Sequence, residues 1–283
     1  MMNFYCLYAK LYEGVQQRID QLKEACLKYG INFIALNSFE ADYSNLPTLG
    51  KTDLLYNCAI GSQTLESLLL NNNVTTFYLK KTSSNLITSS TDFTLLHTKA
   101  NLPQPKTIFG ITTNRELLKK YVNYVGGFPL ILKATGSTRG IGTIKIETWQ
   151  NLISTVDYLV NTNAGFIIRE FIKAKSGCRM IVLGNVVIAG ADFAMNEGDF
   201  RNAVDLTQVH YYKREYPESV KKIAVEATHL CNTEFSGVDF LEDEQGNFYL
   251  LEVNFPTGFS GLINVCNVDI PFKMIEHLKN KVT

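Results

Sequence analysis

The first ninety residues alternate between short apolar runs and one helical repeat. Phe4 to Tyr8 reads as a strand, and Val15, Ile19, Leu22 and Cys26 recur at helical spacing until Gly30 supplies a stop. Ile31 to Leu36 predicts a second strand, Asp53 to Ala59 a third, Thr64 to Leu70 a short helix, and Val74 to Leu79 a further strand. This β-α-β order predicts a small α/β unit built on a parallel sheet. The Ser/Thr-rich stretch from Lys81 to Asp92 reads as a linker.

Beyond it, Pro103 and Pro105 stop a short helix ending near Lys99, and Arg115 to Val125 predicts another helix closed by Gly126-Gly127. The pattern then becomes strand-rich: Leu130 to Lys133, Thr143 to Ile146, Phe166 to Phe171, Arg179 to Leu183 and Val186 to Asp192. Glu218 to Cys231 is the last clear helix before a terminal one. The fold class is α/β, with α+β character in the second half.

Composition narrows the functions available. The chain has 283 residues, 46% of them hydrophobic and 19% charged, as expected of a globular protein with sizeable cores. Its formal net charge of +0 gives no electrostatic reason to expect a nucleic-acid or anionic-membrane partner. The longest apolar stretches, such as Val186 to Ala189, are far below the roughly 20 residues of a transmembrane helix. The first residues lack the basic flank and cleavage site of a secretory signal. Six scattered cysteines, with no Cys-x-x-Cys pair, speak against a structural zinc site and suit a cytoplasmic protein. Cys178 has no evident His partner and reads as a buried thiol rather than a nucleophile.

The strongest chemical signal is a C-terminal hairpin. Gly237 to Leu241 and Phe248 to Asn254 are apolar runs flanking Glu242-Asp243-Glu244-Gln245-Gly246-Asn247, a turn signal. A turn centred between Gln245 and Gly246 pairs Asp239 with Glu252 across the strands. Directly opposed residues have Cβ atoms about 4.5 to 5.5 Å apart, where like charges destabilise a sheet. Asn254 falls on the same face as Glu252, so three oxygen-bearing groups converge among apolar neighbours. Hard oxygen ligands of this kind suit Mg²⁺, which uses one or two carboxylates plus substrate phosphates. A solvated hairpin with incidental acids, or a protonated acid pair, gives the same pattern.

Two further features add to it. Leu130-Ile131-Leu132-Lys133 is followed by the small-residue loop from Ala134 to Gly142, whose backbone N–H groups can approach phosphate oxygens closely. It is neither a Walker loop nor a dinucleotide fingerprint, and a plain hairpin loop also explains its glycines. Together with the other two features, Arg179 and Arg201 would supply a guanidinium fork for phosphate or carboxylate, although for either alone a structural ion pair is the commoner explanation.

In this order and spacing the features resemble the ATP-grasp superfamily, most closely its RimK-like carboxylate-amine ligases. The similarity runs from about Phe128 to Gly261 and includes Arg169-Glu170-Phe171-Ile172, Glu197-Gly198-Asp199-Phe200-Arg201, Gly237-Val238-Asp239 and Leu251-Glu252-Val253-Asn254. The resemblance implies two α+β lobes clasping ATP, at residues 89–168 and 169–283, preceded by an α/β domain at 1–88. Lys133 would touch the phosphates, with Ser137, Thr138, Arg139, Gly140, Ile141 and Gly142 closing over them. Glu170, Phe171 and Ile172 would form the hinge beside the adenine, and Asn202 would add a nucleotide contact. Asp239, Glu252 and Asn254 would hold Mg²⁺, with Mn²⁺ as an alternative. Arg179 and Arg201 would face the transferred phosphoryl group and the acyl intermediate.

The implied reaction joins a carboxylate to the amine of an amino acid, peptide or protein through an acyl phosphate, releasing ADP and phosphate. A homo-oligomer is compatible with this reading. Three departures stand out. Gly177-Cys178 runs straight into Arg179 where the family carries a ribose-binding acid; Ser89-Ser90-Thr91-Asp92 lacks an expected phosphate-binding lysine; and Asn202-Ala203-Val204-Asp205-Leu206 is unlike the basic continuation of glutamate-adding members. These departures leave a second reading open, a non-catalytic ATP-binding regulator that keeps the fold.

Overall fold

The computed structural model describes residues 1–81, 90–136, 140–194, 201 and 210–282. Among these residues the strands form three sheets. The N-terminal sheet is parallel, in the order β2 (Asn32–Asn37), β1 (Asn3–Tyr8), β3 (Asp53–Asn57). Every residue of β3 is buried, and the near-continuous apolar character of β1 and β3 is that of parallel strands covered on both faces. The connecting helix α1 (Glu13–Lys28) buries Val15, Ile19, Leu22, Ala25 and Cys26, the stripe its spacing predicts. Helix α2 (Gln63–Leu69) follows β3.

The strand expected at Val74 to Leu79 does not form. Thr75 makes a single parallel bridge to Leu54, after which the chain leaves the sheet: Phe77 O accepts from Glu234 N at 2.8 Å and Tyr78 bridges Thr233. Val74, Thr75, Thr76, Phe77 and Tyr78 are all buried, so burial alone produced the apolar run. The linker reading also needs correction at one end. Helix α3 spans Ser90–Lys99, so Thr91 and Asp92 are helical, while 82–89 lie outside the described residues.

The central antiparallel sheet has the order β4 (Thr107–Ile108), β7 (Phe166–Glu170), β5 (Leu130–Ala134), β6 (Thr143–Ile146). Helices α4 (Arg115–Tyr124) and α5 (Trp149–Asn161) cover one face, and Leu118, Val122, Leu130, Leu132, Leu152, Val156 and Ile168 share a core there. The sequence reading missed α5, although Leu152, Val156 and Leu159 are helically spaced and the Thr148 hydroxyl caps Asn151 N at 3.2 Å.

The C-terminal sheet is antiparallel, in the order β10 (Tyr211–Lys213), β9 (Val186–Phe193), β8 (Ala174–Leu183), β11 (Phe235–Asp243), β12 (Phe248–Asn254). Helix α6 (Glu218–Leu230) packs on one face, and α7 (Ser260–Cys266) and α8 (Ile270–Lys281) help cover the other. Strand β8 begins five residues before Arg179, because its first half is polar and lacks an apolar signature. Edge strand β10 lies within the polar stretch from His210 to Arg214. Arg214 is tied to Glu242 at 2.5 and 3.0 Å and to Asp192 at 2.9 Å.

One core joins two of these sheets. Phe4, Val15, Leu22, Tyr56 and Phe77 from the N-terminal unit pack in a single cluster with Ile181, Leu183, Phe235, Phe259, Met274 and Ile275. Among the described residues, no helix is long and apolar enough to cross a membrane.

Candidate functional site

The site begins with the hairpin β11–β12. Asp243 organises the turn: its Oδ1 accepts from Gln245 N at 2.9 Å and Asn247 N at 2.8 Å, and its Oδ2 accepts from Asn247 Nδ2 at 2.9 Å. Near the turn the register runs Glu242↔Phe248, Leu241↔Tyr249 and Phe240↔Leu250, and continued unbroken it would set Leu251 opposite Asp239. A bulge intervenes between Asp239 and Phe240, and Asp239 pairs with Glu252 instead. The expected pairing is therefore present, reached through a tighter turn and one extra residue. Leu250 and Val253 point into the core, whereas Leu251 and Glu252 both line a cleft. The bulge breaks strand alternation and lets an apolar wall and a carboxylate share one face.

On its other side β11 pairs with β8, which places Arg179 opposite Asp239. Arg179, Asp239 and Glu252 thus lie side by side across three strands. Arg179 Nε and Nη2 donate to the two Asp239 oxygens at 2.7 and 2.6 Å, a bidentate pair. Lys133 Nζ, at the end of β5 in the central sheet, stands 3.6 Å from Glu252 Oε2. Asn254 Nδ2 donates to Asp239 Oδ2 at 3.0 Å and to Glu252 Oε1 at 3.3 Å. The cation that two opposed acids require is in this structure a pair of cations, one from each lobe.

The two carboxyls titrate in opposite directions. Burial pushes Asp239 above the usual carboxylate range, and the Glu252 charge adds to this against Arg179 and Asn254. Burial acts the same way on Glu252, but Lys133, the Asn254 bond and Arg179 together hold it below its ordinary value. Arg179 loses favour through burial and regains more from Asp239, so it stays charged.

The cleft, of about 290 Å³, lies between the central and C-terminal sheets. It brings together Lys133, Gly140, Glu170, Phe171, Ile172, Arg201, Asp239 and Glu252 from the sequence-predicted set. Arg179 and Asn254 reach it through their bonds to Asp239. Gly140 and Gly142 hold φ of 72° and 79°, a left-handed backbone open to glycine, and turn the loop back so that Ala134 N donates to Gly142 O at 2.8 Å. Ile141 between them is exposed. Ser137, Thr138, Arg139 and Asn202 lie outside the described residues, as do the motif residues Glu197 to Phe200.

The hinge is clamped to the preceding segment. Glu170 N donates to Lys106 O at 2.9 Å, and Lys106 N donates to Glu170 Oε2 at 3.1 Å. Leu251, Leu241, Ile131 and Phe193 give the cleft apolar walls that sequence reasoning did not name. Phe193 rests on Gly177, where an added Cβ would meet its ring at 2.2 Å. Arg169 also lines the cleft without having been singled out; the signal available was its place two residues from Ile167, on the face that β5 gives to Ile131 and Lys133.

A larger open groove of about 690 Å³ along α6 is lined by Glu218, Lys221, Lys222, Glu226 and His229. Among the described residues its lining includes no strand-borne carboxylate pair. Cys178 is buried and its thiol is pushed up, chiefly by burial, as expected of an inert cysteine.

The donor set fits a magnesium-bound anion better than a protein-only metal site. Among the described residues no group of three His, Cys, Asp or Glu could hold a metal. Two carboxylates and an amide leave the remaining positions to ligand oxygens and water, which is how Mg²⁺ is usually bound. With Lys133 and two arginines nearby and flat apolar walls behind, the cleft suits a ligand that is anionic at one end and apolar at the other.

The comparisons with known proteins bear on the family and the fold. A 178-residue stretch is 32% identical to the ribosomal protein bS6–L-glutamate ligase of Escherichia coli O7:K1, covering 62% of this chain and 59% of that one. The same enzyme of Escherichia coli K12 is 30% identical over the same share. The chain thus spans about three fifths of the length of these relatives. Among solved structures, the ATP-grasp ligase PsnB with a minimal precursor superimposes with a TM-score of 0.75 at 19% identity, covering 100% of this chain and 99% of that one. D-alanine–D-alanine ligase from Bacillus anthracis gives 0.70 at 16% identity, covering 100% and 97%. These show an ATP-grasp fold. The RimK-like ATP-grasp domain matches residues 91–278, and the chain belongs to that family.

Proposed function

We propose that this protein is an ATP-dependent carboxylate-amine ligase acting on an amino acid, peptide or protein terminus. The observation that carries the proposal is the row Arg179–Asp239–Glu252, faced across the cleft by Lys133. It gathers alternating charges where a nucleotide's phosphates would lie, between an apolar base pocket and the second substrate. PsnB has been solved with Mg and ADP and also with its precursor peptide, which supports a nucleotide and a peptide as ligands of this fold. Six unpaired buried cysteines suit the reducing cytoplasm, where ATP is at hand.

In this reading Asp239, Glu252 and Asn254 hold Mg²⁺, which supplies charge neutralisation on the phosphates. Lys133 binds the phosphates from the central lobe, and the hinge at Glu170 to Ile172 orients the base. A substrate carboxylate oxygen attacks the γ-phosphorus of ATP, the bond to the β-phosphate oxygen breaks, and ADP departs. The amine then attacks the acyl carbon of the acyl phosphate, and phosphate leaves with the C–O bonding pair as the amine gives up a proton. Arg179 and Arg201 neutralise charge during both transfers, work that preplaced cations perform without reorganisation.

A specific observation favours a second reading. Both oxygens of Asp239 are engaged by Arg179, and a protein that kept this pair closed would bind nucleotide without turnover. Release of ADP and phosphate from a panel of carboxylates and amines separates the two. Under the ligase reading turnover appears with at least one pair, and Asp239→Ala or Glu252→Ala abolishes it. Failure to bind Mg-nucleotide by calorimetry would sink both readings.

A further inference from the structure

Arg169 is a buried cation with no salt bridge among the described residues. It sits on β7, is 5% exposed, and lines the cleft. Its Nε donates to Thr107 Oγ1 at 3.2 Å, and its Nη2 is buried with no hydrogen-bond partner among the described residues. A guanidinium offers five donors and no acceptor, so an unused N–H here can be satisfied only by an acceptor atom. An unpaired buried charge costs several kcal/mol, which a fold has little reason to retain unless a ligand offsets it. Burial pushes the arginine down to about 10, with the Glu252 charge pulling the other way, so it remains cationic at neutral pH.

Its place in the cleft narrows the ligand atom. Arg169 pairs with Ile131 on β5, one position from the hinge that starts at Glu170 and two register positions from Lys133 at the loop end. A nucleotide with its base at the hinge and its terminal phosphates by Lys133 has its first phosphate near the middle of that span. A phosphate oxygen also answers the cation's charge, which a neutral ring nitrogen does not. We propose that Arg169 binds a phosphate oxygen of the nucleotide near the ribose end, as an anchor in the cleft floor. It would replace the phosphate contact that the sequence around Ser89 to Asp92 leaves unfilled. The proposal rests on the nucleotide-binding reading above.

The test uses Arg169→Gln in the full chain, with calorimetry of Mg-ADP and of adenosine, and thermal unfolding without ligand. Losing a charge-assisted hydrogen bond is expected to weaken Mg-ADP about ten- to a hundredfold and to leave adenosine unchanged. The ligand-free variant should melt at a higher temperature than the parent, because an uncompensated buried charge has gone. Arg169→Lys, which keeps the charge, should recover part of the Mg-ADP affinity. Unchanged Mg-ADP affinity, an equal loss for adenosine, or a ligand-free variant that melts lower would each overturn the assignment. If the parent protein binds Mg-ADP and the variant binds it equally, only the role of Arg169 fails; if the parent does not bind it, the nucleotide reading fails with it.

Discussion

Arg179 clasps both carboxyl oxygens of Asp239, and the pair is mostly shielded, with side-chain exposures of 19% and 10%. Removing one partner of such a pair leaves the other buried and unmatched, a loss on the order of 3 kcal/mol or more. Arg179→Leu should therefore lower the urea-unfolding free energy by that order at pH 7, and Arg179→Leu with Asp239→Leu should recover most of it. A single-variant loss below about 1 kcal/mol would show the pair to be solvated.

Glu66 gives a second residue-scale expectation. It is buried at 3% exposure, and burial pushes its carboxyl up to about 7 despite hydrogen bonds from Asn57 and Tyr78. A raised acid binds its proton more tightly folded than unfolded. Its stabilisation is complete below the unfolded value near 4.5 and is lost as pH rises through about 7. The loss is on the order of 3 kcal/mol, at about 1.4 kcal/mol per unit. Glu66→Gln should flatten the fall in urea-unfolding free energy between pH 5 and 8; an equal slope in both proteins would refute this. At this scale the sequence revealed the charges of the site but not their partners: that Arg179 clasps Asp239 depends on β8 lying beside β11, a long-range pairing.

At the scale of elements, the bulge at Leu251 decides what the cleft presents. Deleting Leu251 would restore regular alternation and leave Glu252 opposite Asp239, since the turn-side register already leads there. The hairpin should remain folded while the cleft loses one apolar wall. Mg-ADP affinity is expected to fall about tenfold, as for the loss of one buried aliphatic contact, with the urea midpoint little changed. An unaltered affinity would remove Leu251 from the base pocket. The strands bearing these residues were legible because apolar runs and turn residues are local signals. Helix α5 was missed although its period is local, and the supposed strand at Val74 to Leu79 failed because burial between two units leaves the same apolar mark as pairing.

For the whole molecule, the two-lobed plan with a preceding parallel sheet was legible, but the joining of cores was not. No periodicity announces that Phe4, Val15 and Phe77 share their packing with Phe235, Phe259 and Met274. Residues 1–88 expressed alone should therefore lack a cooperative unfolding transition and bind a dye for exposed apolar surface. Supplying residues 89–283 in trans should restore a folded complex. A cooperative melt of the isolated segment would show that its own smaller core, around Leu7, Leu55 and Leu65, suffices.

That shared core also constrains how specificity can be inherited. The family match begins at residue 91, yet Phe4, Val15, Tyr56 and Phe77 of the preceding unit pack directly against the sheet that carries Arg179 and Asp239. A chimera that grafts another relative's N-terminal segment onto this chain would import a mismatched interior. To work, the graft would have to bring along the facing side chains at Ile181, Phe235, Phe259 and Met274, so lineages of this architecture should exchange substrates by reshaping loops more readily than by trading domains.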